Sequence, residues 1–353
     1  MFTYLYLFVF SLLPKKIIIL IYMKVAILIP TLNRPAFIQR TISYYNSLKS
    51  QHPIYIGDAS NIKLSKKIIL FLKNINNVQV KYFHWENLNY EQTVLKLAKE
   101  ASDDCDYCAL QGDEDYFIPS SLNKCAKFLS ENPDYRTAQG RAALVVMDNP
   151  GPTGNINWIE EYWGKKCLEE SKKIERLLSF HNNYYVLNFS IHRTYEFLND
   201  SIGFSKIINR HIHELVHCYT IAINGKSKFI DCLYLIRVRH PDLLILSGGG
   251  VEESRGEFIN NLTRETWSQD YKKMIESLSY ILSEDKTISH EEAIKIVSKL
   301  MKERLEQTFI KKFIVKQSYR KLFYNLIKKI LPDYLKKRLR ILKNILLKKE
   351  MNL

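Results

Sequence analysis

From Met23 onward the chain alternates short apolar runs with amphipathic stretches, and this alternation restricts its fold more than any other feature. "KVAILI" (24–29) is a continuous apolar run of the kind that suits a strand buried on both faces. "PTLNRP" breaks it, and Ile38, Ile42 and Tyr45 then keep a helical stripe, with Asn33 expected as the cap and Pro35 in the first turn. "PIYIGDAS" and "VQVKYFHW" supply two further strands, and Val94, Leu97, Ala98 and Ala101 mark one face of a second helix. "DYCALQ" is a fourth strand that ends at "GDEDYFIP". Ser120 or Ser121 is placed to cap the helix that follows, whose stripe is Leu122, Cys125, Ala126 and Leu129. Strands alternating with amphipathic helices build a mostly parallel sheet flanked by helices, and such α/β sheets bind ligands beyond the carboxyl ends of their strands. "TLNRP", "GDAS" and "GDED" each follow a strand directly, so the polar groups collect at that edge.

The rest of the chain is less periodic. Residues 141–200 hold the loop "NPGPTGN" and two aromatic-rich stretches, "NWIEEYWG" and "HNNYYVLNF". Residues 205–223 read as a helix with Leu215, Cys218, Tyr219 and Ala222 on one face, closed by Asn224-Gly225. "KFIDCLYLIRV" is a further strand, and the chain looks helical from about residue 255. Residues 1–22 carry two apolar runs separated by Pro14 and two lysines. Neither run reaches the roughly 20 residues of a membrane span, and the pattern is not that of a signal peptide. They read as an extension outside the fold, from a start site ahead of the natural first strand, or as a membrane anchor.

Charge locates a second region. The chain carries a formal +15, but residues 302–350 hold 16 lysines and arginines against four acids, a net +12. The body is therefore close to neutral, which argues against a nucleic-acid surface spread over the fold. Leu335, Leu339, Leu342 and Leu346 give the basic tail an apolar stripe, which suits a helix lying on an anionic membrane. A nucleic-acid arm and a plain solvated helix are the other two readings of the tail. Six cysteines include one C-x-x-C, Cys105 and Cys108, with no second pair to complete a zinc knuckle. They read as core cysteines in a reducing compartment.

Two stretches carry candidate chemistry. Asp113-Glu114-Asp115 crowds three carboxylates at a strand end. Carboxylates so close repel, and a divalent cation with hard oxygen ligands, Mg²⁺ or Mn²⁺ holding a diphosphate, would remove the conflict. A solvated acidic turn is the plainer reading. "HELVH" (213–217) is the second stretch, in which His213 and His217 could hold zinc while Glu214 activates water, as in a zinc metallopeptidase. That reading requires a third ligand downstream and leaves "GDAS" and "GDED" without a task.

"VAILIPTLNRPAFIQRTI", "IYIGDAS" and "DYCALQGDEDYFIP", in order and approximate spacing, resemble the nucleotide-binding half of the GT-A fold glycosyltransferases, in particular the family-2 type of bacterial surface polysaccharide enzymes. The resemblance covers residues 24–132 and, more loosely, 205–240. It implies a GT-A (Rossmann-like) domain over residues 23–245, with a nucleotide-binding half to residue 132 and an acceptor half from 133, followed by a helical region over 246–353. It also implies that Thr31 and Asn33 line the nucleotide and that Asp58 contacts the base. Gly57 stands where the family has a first Asp, and Leu32 where many members have an aromatic residue. Asp115 is the implied metal ligand, and Asp113 contacts ribose or metal. Glu214, eleven residues before Gly225, aligns with the family's catalytic base, with His213 in place of the usual Glu and His211 as the nearest competitor. His240 matches a third metal ligand of some GT-A enzymes or is a surface histidine. Trp158, Trp163, Tyr184 and Tyr185 are an acceptor platform or ordinary core aromatics.

The function implied is inverting, Mn²⁺- or Mg²⁺-dependent transfer of a sugar from a nucleotide-sugar donor to a saccharide or lipid-linked acceptor in surface polysaccharide biosynthesis. The enzyme would be cytoplasmic and peripheral on the inner face of the cell membrane through its tail, with no nucleic-acid partner. Alternatives are the zinc metallopeptidase and a non-catalytic protein that binds membrane or nucleic acid through the tail.

Overall fold

The computed structural model describes residues 23–203, 207, 209–241 and 265–315. The N-terminal extension and the leucine stripe of the basic tail lie outside the described residues. Strand β1 (Val25–Thr31) is buried along its whole length, as its apolar run requires, and pairs in parallel with β2 (Ile54–Asp58) on one side and β4 (Tyr107–Leu110) on the other. β2 pairs in turn with β3 (Val80–His84), also parallel. Helices α1 (Pro35–Ser47), α2 (Ile62–Leu72) and α3 (Tyr90–Ser102) make the crossovers that parallel pairing demands.

Beyond β4 the sheet becomes mixed. The short β5 (Tyr116–Phe117) and helix α4 (Pro119–Glu131) lead into β6 (Tyr135–Met147), which forms an antiparallel hairpin with β7 (Ile156–Trp163). After α5 (Lys173–Asn182) come β8 (Ile191–Arg193), α6 (Thr194–Gly203), α7 (Arg210–Asn224) and β9 (Lys226–Arg239). Eight of the nine strands run β3-β2-β1-β4-β8-β6-β9-β5, and β7 pairs with β6 off this path. This is an α/β sheet flanked by helices, as expected from the sequence, parallel through β3-β2-β1-β4 and mixed beyond it. The hairpin is the element that the aromatic stretch concealed, because β7 exposes six consecutive residues and so shows no inside–outside alternation.

Two expected caps are corrected. Asn33 does not cap α1: it takes a left-handed backbone (φ 57°), which Asn tolerates, and Arg34 holds the cap position ahead of Pro35. Neither Ser120 nor Ser121 caps α4, since Ile118 precedes Pro119 there and the Ser121 hydroxyl donates instead to the Leu233 carbonyl (2.6 Å). Gly57 has a steric cause. A Cβ there would stand 2.6 Å from Thr93 Cγ2 and 3.1 Å from Leu97 on α3, so no aspartate fits.

Helix α7 is fixed at both ends. Asn209 accepts from the Ile212 amide (3.2 Å), and its own amide donates to Asp270 Oδ2 (2.8 Å) on α8 (Glu265–Ser283). At the other end Arg176 of α5 donates to the Ala222 and Ile223 carbonyls at 3.1 and 2.5 Å, placing a cation on the helix C-terminus. Val216, Cys218, Tyr219 and Ile221 to Ile223 sink into a core shared with α5, α8 and α9 (His290–Val315). Glu214, near the start of the helix, is left toward solvent. Among the described residues no helix is long and apolar enough to cross a membrane.

Candidate active site

Thr31 ends β1 and Asp58 ends β2, and the two are paired in register. The acidic turn follows β4, so three strand ends deliver their polar groups to one edge. The Thr31 hydroxyl donates to Asp113 Oδ2 (2.7 Å), and the Thr41 hydroxyl to the Asp113 carbonyl (2.7 Å). Asp58 is fully buried, its oxygens accepting from the Ser60 amide (2.9 Å) and the Tyr82 hydroxyl (2.6 Å). The Asn33 amide donates to the Ser60 hydroxyl (2.7 Å), which ties the first turn to the second. Thr31, Asn33, Asp58 and Asp113 therefore form one connected group. Leu32, between the first two, is half-exposed at this edge.

Arginines neutralise the acidic turn. Arg34 pairs with Asp113 through one terminal nitrogen and with Glu114 Oε2 (2.6 Å) through the other, its guanidinium lying 3.9 Å from the centre of the Phe37 ring. Arg237 of β9 brings Nε to 3.2 Å from Asp115 Oδ2. Arg40 donates to the Pro152 (2.5 Å) and Glu114 (3.3 Å) carbonyls. Burial pushes all three carboxyls above their usual range, with Arg34 pulling Asp113 and Glu114 down and Arg237 pulling Asp115 down. Burial also opposes the charge on Arg34 and Arg237, but their acidic partners outweigh it and hold both guanidiniums protonated.

Asp115 has a fully buried oxygen with acceptor capacity to spare. It is fully buried, and Oδ1 accepts from the Val238 amide (3.0 Å). Oδ2 is within ion-pair distance of Arg237 but accepts no hydrogen bond. A carboxylate oxygen whose one partner is an ion-paired side chain fits a hard divalent ion, which binds one or two carboxylates and completes its shell with phosphate and water. The expected partners of that ion are less available. Both Asp113 oxygens are engaged, and His240 has Nδ1 2.8 Å from the Asn149 carbonyl and Nε2 3.4 Å from Arg40. Among the described residues no three His, Cys, Asp or Glu side chains are gathered to hold a metal, so His240 does not complete a cage with Asp113 and Asp115.

Glu214 is exposed at the start of α7, and its charge contributes, after Asp115 and others, to the field on Arg237. Arg237 thus feels both the acidic turn and the helix bearing Glu214. The side chain of His211 lies outside the described residues. In "HELVH" the rings of His213 and His217 are 6.5 Å apart, and His217 is buried and stacked on His192 at 6.2 Å. Burial lowers the His213 pKa to about 4 and the His192 pKa to about 3, and carries His217 well down, so all three are neutral at physiological pH. The third ligand that a zinc site requires is not brought to them among the described residues.

The aromatic residues do not form one platform. Trp163 is buried and donates to the Gly140 carbonyl (3.0 Å), Tyr185 is buried against Phe180, and Tyr184 stacks on Tyr219. Trp158, 51% exposed on β7, stands apart. The sequence reading did not single out Arg34, Arg40 or Arg237. Arg34 had a signal, being inside the quoted "TLNRP"; Arg237, a lone charge in an apolar strand, had only that isolation.

Neither a protein-family model nor a curated protein matches the chain. Among solved structures it is similar to S. aureus TarS residues 1–349 in complex with UDP, at 13% identity over 86% of this chain and 79% of that one, with a TM-score of 0.49. It is also similar to the mannosyltransferase PcManGT from Pyrobaculum calidifontis in complex with GDP-Man and Mn²⁺, at 11% identity over 86% and 84% of the two chains and a TM-score of 0.42. A third, GalNAc-T7 with UDP, GalNAc and Mn²⁺, is 12% identical over 62% of this chain and 44% of that one, with a TM-score of 0.41.

Proposed function

We propose that this chain is a glycosyltransferase that moves a sugar from a nucleotide-sugar donor to a saccharide or lipid-linked saccharide acceptor. The observation that carries the reading is the convergence of Thr31, Asp58 and the acidic turn at the carboxyl edge of parallel strands, with an exposed Glu214 whose charge acts on Arg237. Thr31, Asn33 and Asp58 line the nucleoside, and Asp113 faces the ribose. Arg34 and Arg40 keep the turn near electroneutrality, so that a diphosphate can approach buried carboxylates without prohibitive repulsion. Glu214 takes the proton of the acceptor hydroxyl as that oxygen attacks the anomeric carbon. Attack from the face opposite the departing nucleoside diphosphate inverts the configuration. Mn²⁺ or Mg²⁺, when bound at Asp115, supplies charge neutralisation for the leaving diphosphate.

We also infer that the basic tail docks the enzyme on the cytoplasmic face of an anionic membrane, where lipid-linked acceptors of surface polysaccharide synthesis are found. The tail's charge and leucine stripe support this.

The test is a panel of nucleotide sugars, with and without Mn²⁺, read as donor hydrolysis and as thermal stabilisation. At least one donor is expected to give a metal-dependent response that Asp115→Ala abolishes. No metal-dependent response to any donor would overturn the reading.

A further inference from the structure

Arg237 is the cation that faces Asp115. Its Nε lies 3.2 Å from Asp115 Oδ2, and this ion-pair contact is the partner of an otherwise unbonded buried oxygen. The other oxygen, Oδ1, is held by the amide of Val238, the next residue of the same strand. The carboxylate is therefore fixed in orientation, with Oδ2 as its available ligand atom and Arg237 in front of it. Arg34 differs, because it hydrogen-bonds both Asp113 and Glu114 and is anchored to the turn.

The Arg237 guanidinium also has somewhere to stay. It lies 4.5 Å from the centre of the Phe189 ring and 5.2 Å from that of Tyr162, and both faces attract a cation. Small motion within this aromatic slot would take Nε off Asp115 without moving β9, whose Arg237 is in register with Leu144 of β6.

We propose that Arg237 is the resident counter-ion of Asp115, and that a divalent cation must displace it before Asp115 can act as a ligand. This rests on the reading that the acidic turn takes a divalent ion. Arg237 is then a positioning residue that weakens metal binding by the free protein and keeps a buried carboxylate compensated until the ion arrives. Its charge remains in the slot formed by Phe189 and Tyr162.

The experiment titrates the full chain with Mn²⁺ alone at about pH 8, well above the ordinary carboxyl range, reading free Mn²⁺ by electron paramagnetic resonance. Close charge pairs couple strongly enough that Arg237→Gln should bind Mn²⁺ at least about tenfold more tightly than the unaltered protein. Arg237→Lys, which keeps the charge, should stay within about threefold. Equal or weaker affinity in Arg237→Gln, or no uptake by either protein, overturns the proposal. Asp115→Ala separates this from the reading beneath it: if that variant binds Mn²⁺ as the unaltered protein does, the metal assignment itself falls. A second measurement does not depend on a variant that folds. The Arg237 Nε resonance of the unaltered protein should shift on titration with Mg²⁺, and an unmoved resonance under saturating Mg²⁺ would overturn the displacement.

Discussion

Replacing Arg34 by methionine probes the electrostatic arrangement on which the site depends. Met keeps much of the side-chain volume over Phe37 but removes the cation from two carboxylates. The Arg34 side chain is only 13% exposed, and Asp113 and Glu114 are 7% and 19% exposed, so solvent screens these pairs weakly. At an effective dielectric of about 20 and a separation of about 4 Å, each pair is worth roughly 4 kcal/mol of attraction. Part of that is returned because Arg34 no longer has to be desolvated, and breaking one side of a buried pair costs about 3–5 kcal/mol in net terms.

The loss has a sign with pH. Burial holds Asp113, Glu114 and Asp115 above the ordinary carboxyl range, and a carboxyl so raised contributes stability at low pH that is lost as pH climbs through its folded value. Without Arg34, Asp113 and Glu114 rise further, so the deficit should open above about pH 4 and be larger at about pH 7.5 than at about pH 5. Urea denaturation followed by circular dichroism at the two pH values measures this. A deficit below about 1 kcal/mol at the higher pH, as for a solvated surface cation, or one equal at both pH values, would refute the reasoning.

Glu214→Gln should lower kcat by about 10² to 10⁴, the usual contribution of a general base, while donor-induced thermal stabilisation is retained; loss of donor binding with unchanged kcat would place the residue elsewhere. Arg176→Met removes donors from the Ala222, Ile223, Glu170 and Ser171 carbonyls and should cost about 3 kcal/mol by urea denaturation. Amide exchange should rise first in the last turn of α7, and uniform protection there would count against Arg176 as the anchor of that helix.

The parallel half of the fold was legible because its signals are local. β1, β2 and β4 are buried on both faces, and a strand so placed must be a continuous apolar run whatever surrounds it. The β6–β7 hairpin was not legible. β6 alternates buried and half-buried residues over Ala142 to Met147, but both sets are apolar in the sequence, so no period-two signal shows, and β7 is an edge strand with Ile156, Trp158 and Ile159 exposed. The caps failed for another reason. The chain before Pro35 must also deliver the Asn33 amide to Ser60 and the Arg34 guanidinium to the acidic turn, and those demands moved the helix start by one residue.

The sequence by itself determined that polar residues would gather at one edge of an α/β sheet, since the order of strands, turns and helices is written in periodicities of a few residues. It also located the three carboxylates, whose crowding a cation would relieve. Only the tertiary structure decided which cations those are within the protein: Arg34 from the first turn, and Arg237 from a strand whose neighbouring amide reaches Asp115 across 123 residues of chain. Coulomb energy depends on distance and burial, and neither is set by separation along the chain.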